Sequence, residues 1–500
     1  MPDSAKDLLA GLGAQPGLFR DGRWCEGSGG TLAVLNPATG VEIARITLAG
    51  PSDFAAATTG AEAALASWRL EPGAARGDIL KKVAALLSSK RQAVAELLTL
   101  EQGKVLAQAL GEVDYAASFF QWFGEEARRP IGRLQPHPVR DREYRVKYAP
   151  AGVAGLVTPW NFPLAQGAKK IAAALAAGCT AVWKPSELTP LVALALGALM
   201  KEAGLPPGVL QVLPALGPVA GEAMTGDARF RVISLTGSTQ TGRTVLKASA
   251  KHLPRLSLEL GGNAPFVILP DADMEEVVPD LVKLKLLCSG QVCVTANRVF
   301  VPAALEAALI DKLSQVWHGL RVGDGLVAGV DVGPLIHAQA CARVRGLVEA
   351  AVSGGAEIVA ENRSHSAHAS LAGGSFFPPT LLRGVRDDMN LAREEIFGPV
   401  LPLLTYGDVD EAVRRSNATA AGLSAYVYGR DLSQAQAVAD ALEAGIVGIN
   451  EWRPLRAEIP FGGTKSSGQG WEGGEEGLRE FMEIKVISTP SPRLRASGPR

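Results

Sequence analysis

The sequence predicts an α/β protein with two doubly wound parallel sheets and a small β arm. Three observations carry this. Between residues 152 and 249, short apolar strand-like runs alternate with helical windows. After Gly261 the same alternation starts again. Residues 132–150 differ from both, and in their tail, 142–148, side chains change character at a period of two.

Taken in order, residues 1–50 read as an arm with short strands, turned at Asn36-Pro37-Ala38-Thr39-Gly40. Residues 55–123 are Ala-rich, with apolar side chains near i, i+3 and i+4, which is a helical pattern. In 142–148 charged residues alternate with apolar or aromatic ones, so a strand exposed on one face is expected. Such a strand edge needs cover or a partner. Residues 153–157, 180–183, 209–213 and 232–235 read as strands, with helices over 164–177 and 190–202 and another beginning at Gly242. That rhythm implies a parallel sheet covered on both faces, with ligands bound beyond the carboxyl ends of its strands. Lys184 and Ser238 lie at that edge. Further strands are expected near 264–268 and 299–301. Residues 361–374, rich in Ser, His and Ala, form a surface loop. His365 and His368 there have no Cys or carboxylate partners, so a solvated loop is favoured over a metal site.

Composition excludes several functions. Hydrophobic residues at 47% and charged residues at 20% are ordinary for a soluble globular chain. A net charge of -1 offers no field for nucleic acid or a membrane surface. The apolar run 171–183 is too short to span a bilayer. The N-terminus, with Asp3 and Asp7, lacks the basic and apolar regions of a secretory signal. Five scattered cysteines do not make a disulfide framework, so a reduced, cytoplasmic protein is expected.

The chemistry centres on Cys293, in Gly-Gln-Val-Cys within a Gly/Ser-containing stretch that precedes an apolar strand. A thiol in such a loop has backbone N–H groups nearby and room for a substrate. A lone cysteine is nevertheless more often a small core residue. Glu259, in Leu-Glu-Leu-Gly-Gly, is either a surface-facing strand residue or a carboxylate whose pKa is raised by an apolar setting. Asn161, in Pro-Trp-Asn-Phe-Pro, taken alone, is a turn residue. Gly-x-Gly-x-x-Gly is missing at any strand–helix turn; Gly237-Ser238 after a strand is either a helix N-cap or a phosphate turn.

Together with Trp-Lys-Pro-Ser-Glu (183–187), Leu-Thr-Gly-Ser-Thr-Gln-Thr-Gly (235–242), Glu-Glu-Ile-Phe-Gly-Pro-Val (394–400) and Pro-Phe-Gly-Gly-Thr-Lys-Ser-Ser-Gly (460–468), these blocks resemble the aldehyde dehydrogenase superfamily in order and spacing. The resemblance implies NAD-dependent oxidation of an aldehyde to a carboxylic acid, with NADP as the other candidate. It makes Cys293 the nucleophile, which must ionise near neutrality, and Glu259 the base for hydrolysis. The Asn161 amide and the Cys293 N–H become the oxyanion donors. For the cofactor it implies Trp160, Lys184, Glu187, Gly237, Ser238, Glu395 and Phe397. A carboxylate at Glu187 disfavours a 2′-phosphate, hence NAD. No catalytic metal is implied. The implied organisation is an NAD-binding domain of residues 1–131 and 151–261, a catalytic domain of 262–461, and an oligomerisation arm of 132–150 and 477–489, giving a homodimer or homotetramer.

Within the superfamily the chain most resembles the succinate-semialdehyde dehydrogenase group, through 118–126, 173–180 and 445–450. That group holds the substrate's distal carboxylate with two arginines and a serine. Here those positions carry Lys169, Leu287 and, approximately, Leu455 or Arg456, with Phe461 nearby. A lysine does not reproduce an arginine fork, though Arg453 or Arg456 offers a replacement. A short semialdehyde such as succinate semialdehyde is therefore expected, with uncharged aliphatic or aromatic aldehydes as the alternative. Transfer of the acyl group to coenzyme A is disfavoured by Glu259.

Overall fold

The computed structural model describes residues 4–129, 132–140, 142–362 and 373–490. The loop carrying His365 and His368 lies outside the described residues.

The first sheet has eight strands, in the order Arg23–Cys25, Leu18–Arg20, Leu210–Val212, Thr180–Lys184, Val153–Val157, Phe230–Thr236, Arg255–Glu259, Gly468–Gln469. The central five are parallel, and antiparallel strands close both sides. Thr180–Lys184 is buried along its whole length, as a covered parallel strand must be. Pro163–Ala177 covers one face; Pro at its first position and Gly178 at φ +92° after its last define its ends. All fifteen of its residues are buried, between the sheet and the long helix Leu106–Glu126. The parallel part of the sheet starts at Val153–Val157, runs outward to Leu210–Val212 on one side, then returns to build Phe230–Thr236 on the other. The strand order thus reverses between Val153–Val157 and Phe230–Thr236, where such sheets open a crevice for ligands.

The second sheet has seven strands, in the order Glu357–Glu361, Thr380–Arg383, Val400–Tyr406, Arg298–Pro302, Pro265–Ile268, Ser424–Tyr428, Ile446–Ile449. All but the first are parallel. The α/β class with two doubly wound sheets is therefore as expected. Residues 262, 293 and 395–397 all precede strands of this sheet. The site consequently lies between the carboxyl edge of the first sheet and the amino edge of the second.

The arm differs from the sequence expectation. Arg142–Pro150 is the middle strand of a three-stranded antiparallel sheet, bonded to Arg133–Pro136 on one side and to Met482–Pro490 on the other. The strand over 142–148 presents no free edge; the outer edges belong to its two neighbours. Beyond the second sheet the chain returns to the first. Gly468–Gln469 rejoins the first sheet, and Gly474–Arg479 is a helix packed on Pro163–Ala177. Among the described residues no helix is long and apolar enough to cross a membrane, and no group of His, Cys, Asp or Glu could hold a metal ion.

Candidate active site

The loop that carries Cys293 is shaped by backbone strain. Cys288, Ser289 and Gly290 take φ of 49°, 55° and 78° in succession. Left-handed conformation costs a non-glycine residue about 1–2 kcal/mol. Specific bonds offset it: Gln108 accepts from Cys288 N at 2.8 Å, and Ser289 Oγ donates to the Gly333 carbonyl at 2.9 Å. The Gln102 amide donates to Cys288 Sγ at 3.1 Å. Cys288 is thus a buried strut of the loop. Cys293 is only partly buried, and two cavities meet at it.

Asn161 comes from the loop after Val153–Val157. Its Nδ2 donates to the Gln291 carbonyl at 2.9 Å, two residues before Cys293. Its own carbonyl accepts from Lys104 Nζ at 2.7 Å, and Lys104 pairs with Glu112 at 2.5 Å in a fully buried ion pair. Glu112 also accepts from the N–H groups of Leu164 and Ala165, satisfying the first turn of the helix Pro163–Ala177. Asn161 is therefore held through both its backbone and its side chain. This network was not legible in the sequence.

Glu259 ends its strand opposite Thr236, and its carbonyl accepts from Gly237 N at 3.0 Å. The surface-facing alternative is excluded: Glu259 is 1% exposed. Both carboxyl oxygens lack a hydrogen-bond partner within the described protein, which is costly unless water or substrate supplies one. Burial, reinforced by the Glu472 charge, holds its pKa well above the usual carboxylate value. Glu472 is itself sandwiched between Lys169, at 2.7 Å, and Lys170. Ser467 Oγ donates to the Gly261 carbonyl at 2.8 Å and accepts from Gly422 N, fastening the Gly-Gly turn to the second sheet. A side chain at Gly262 would stand 2.2 Å from the Cys293 carbonyl. The double glycine thus permits the Cys293 backbone itself to come close.

Cys293 departs from the expected ionisation near neutrality. Burial pushes its thiol up to about 12, with Glu395 adding to the effect and Lys169 opposing it.

The larger cavity, about 620 Å³, runs from the strand ends at Thr236, Gly237 and Ser238 to Cys293, and Trp160, Glu395 and Phe397 line it. That is ample for a cofactor. Its wall presents Thr236 and Gln166 oxygens with no hydrogen-bond partner, so the donor set fits a polar dinucleotide. Glu395 is pushed up to about 7 by burial and accepts from Gly262 N at 3.3 Å. Phe397, at φ +53°, meets Trp160 edge-on at 5.5 Å. Asn297 positions this loop, its amide donating to the Glu394 carbonyl and its oxygen accepting from Ile396 N. Ser238 does cap a helix, but that helix begins at Thr239; Gly242 lies inside it, against Leu260. Lys184 and Glu187 bond to each other at 2.6 Å and do not line this cavity. They extend the same strand edge, since Lys184 stands beside Val157.

The smaller cavity, about 70 Å³, continues from Cys293 past Phe162, Leu287, Val292, Leu455 and Phe461. Lys169 and Arg453 are its cations. Arg456 is not at this wall: it is exposed, and its guanidinium donates to the carbonyls of Arg453 and Leu455. Tyr115, Gln166 and Trp452 also line this cavity and were not foreseen.

The family model of the aldehyde dehydrogenase family matches residues 24–487. The chain is 41% identical to the 3-sulfolactaldehyde dehydrogenase of Pseudomonas putida, over 94% of this chain and 96% of that protein. It is also 41% identical to the NADP(+) succinate-semialdehyde dehydrogenase GabD of Escherichia coli, over 93% of this chain and 96% of that protein. The structure of a betaine aldehyde dehydrogenase from Staphylococcus aureus in complex with NAD+ superposes with a TM-score of 0.94 at 32% identity, covering 98% of each chain. With likeness of this degree along nearly its whole length, the chain belongs to the aldehyde dehydrogenase family and is an NAD(P)-dependent oxidoreductase.

Proposed function

We propose that this enzyme oxidises a short semialdehyde, such as succinate semialdehyde, to the free acid through a covalent Cys293 intermediate. The observation that carries this reading is the placement of Cys293 where the larger and smaller cavities meet, with Asn161 on the same wall. The thiol gives up its proton to solvent water as sulfur attacks the aldehyde carbon; the resulting thiohemiacetal oxyanion re-forms its C=O as the hydride leaves, and a thioester on Cys293 remains. The Asn161 amide and the Cys293 N–H carry the oxyanion, and losing one such donor costs about 3–4 kcal/mol. NAD(P), when bound in the larger cavity, supplies the acceptor for the hydride. Glu259, once ionised, takes a proton from water as that water attacks the Cys293 thioester, and the acid leaves.

Trp160, Gly237, Ser238, Glu395 and Phe397 would hold the cofactor along the cavity, and Lys184 with Glu187 would hold its ribose beyond the strand edge. A carboxylate at Glu187 favours NAD over NADP. On this reading residues 1–131 and 151–261 form the cofactor-binding domain and 262–461 the catalytic one. The three-stranded sheet serves as an oligomerisation arm. The five free cysteines are in keeping with a reducing cytoplasm. Of the three similar proteins named above, the two at 41% identity take their names from aldehydes that carry a second, anionic group, which supports an anionic substrate here over the cationic one of the betaine aldehyde dehydrogenase at 32%.

The test is NADH release from succinate semialdehyde with NAD or NADP, with and without coenzyme A. Turnover with NAD in the absence of coenzyme A, exceeding that with NADP, is expected. Turnover that requires coenzyme A would overturn the hydrolytic reading.

A further inference from the structure

We propose that Arg453 is the residue that recognises the anionic end of the substrate, in place of Lys169 or Arg456. This rests on the semialdehyde reading and deepens it, fixing which side chain selects for charge.

Lys169 lines the cavity but is already committed. Its ammonium stands 2.7 Å from Glu472 and 3.9 Å above the Phe461 ring, and its side chain is 4% exposed. Turning it to a substrate would leave Glu472 buried with one cation where it now has two. Stripping a partner from a buried charge costs more than one new charged hydrogen bond returns. Arg456 is spent on two backbone carbonyls outside the cavity.

Arg453 is in the opposite situation. It lines the cavity, is only half-buried, and its guanidinium has neither an ion pair nor a hydrogen bond among the described residues. It lies over the Tyr115 ring, with 5.8 Å from the ring centroid to the guanidinium carbon. A guanidinium held over a ring in this way keeps its planar fork free for two parallel bonds to a carboxylate.

The loop is built to hold it there. Asn450, at φ +50°, exchanges two hydrogen bonds with the Gly429 backbone, at 3.0 and 2.9 Å. Trp452 packs against the core under the second sheet, and Arg456 ties the Arg453 and Leu455 carbonyls together. The cavity that holds both Cys293 and Arg453 takes apolar lining from Leu287, Val292 and Leu455, which suits a chain of methylenes. The substrate class is therefore a short aldehyde with a terminal anion and an unsubstituted apolar middle.

The experiment compares kcat/KM for succinate semialdehyde and for butanal, of equal carbon count, in the wild type and in Arg453→Met, Lys169→Met and Arg456→Met. Arg453→Met is expected to raise KM for succinate semialdehyde by about ten- to a hundredfold, with a much smaller effect on butanal. Arg453→Lys should recover part of the preference. Lys169→Met should keep the preference for the charged aldehyde while shifting the pH profile of turnover, because it removes a partner of Glu472. Arg456→Met should keep the wild-type ratio. Butanal turnover by each variant reports that it has folded. A preference that survives Arg453→Met, or one that collapses in Lys169→Met alone, overturns the assignment and leaves the semialdehyde reading standing. A wild type that already favours butanal overturns both.

Discussion

Cys293 and Glu259 sit in the same low-dielectric environment, and burial disfavours the charged form of each. Burial thus favours the protonated form of the Cys293 thiol. The pH dependence has a definite sign. Because the thiol is shifted upward, the reactive thiolate becomes more abundant as pH rises, with a midpoint above the roughly 8.5 of free cysteine. Alkylation of the Cys293 peptide by iodoacetamide, followed by mass spectrometry without cofactor, should accelerate up to and beyond that pH. A rate already at its plateau at neutrality would contradict this. The sequence singled out Cys293, which lies where the two cavities meet, but motif spacing carries no information about the dielectric that shifts its thiol upward. Glu259 was legible in the other direction: a single carboxylate ending an apolar strand does have a raised pKa.

At the scale of elements, the readable features were periodic or punctuated. A helix over 164–177 was anticipated from its place between two strand-like runs; it spans Pro163–Ala177, and Gly178 supplies the left-handed residue that ends it. Thr180–Lys184 was legible because a parallel strand buried on both faces is apolar throughout. Arg142–Pro150 was recognised as a strand, but its place in the sheet was not, since alternation reports exposure and not the number of neighbours. The segment from Asn450 to Arg456 was the least legible. It has no period, and its shape comes from contacts with residues far away in sequence, Gly429 and Tyr115 among them. Two arginines three apart looked equivalent; one faces the cavity and the other caps carbonyls. Glu472, buried between two lysines, was similarly hidden.

For the whole molecule, the three-stranded arm leaves two outer edges unpaired among the described residues, those of Arg133–Pro136 and Met482–Pro490. Leu134, Ile484 and Val486 are each at least 60% exposed on it. Exposed apolar strands with open edges seek a partner, and a closed assembly built on two-fold symmetry meets that need. Light scattering at micromolar concentration should give a homodimer or homotetramer; a monomer would contradict this use of the arm. The central claim, however, concerns the point where the two cavities meet. It is tested most directly in Glu259→Gln, which keeps the nucleophile and removes the base for hydrolysis. Mixed with succinate semialdehyde and NAD, this variant should release a rapid burst of NADH and then nearly stop, with the acyl group retained on the Cys293 peptide by mass spectrometry. Sustained turnover without a burst, or an acyl group found on Cys288, would contradict the account.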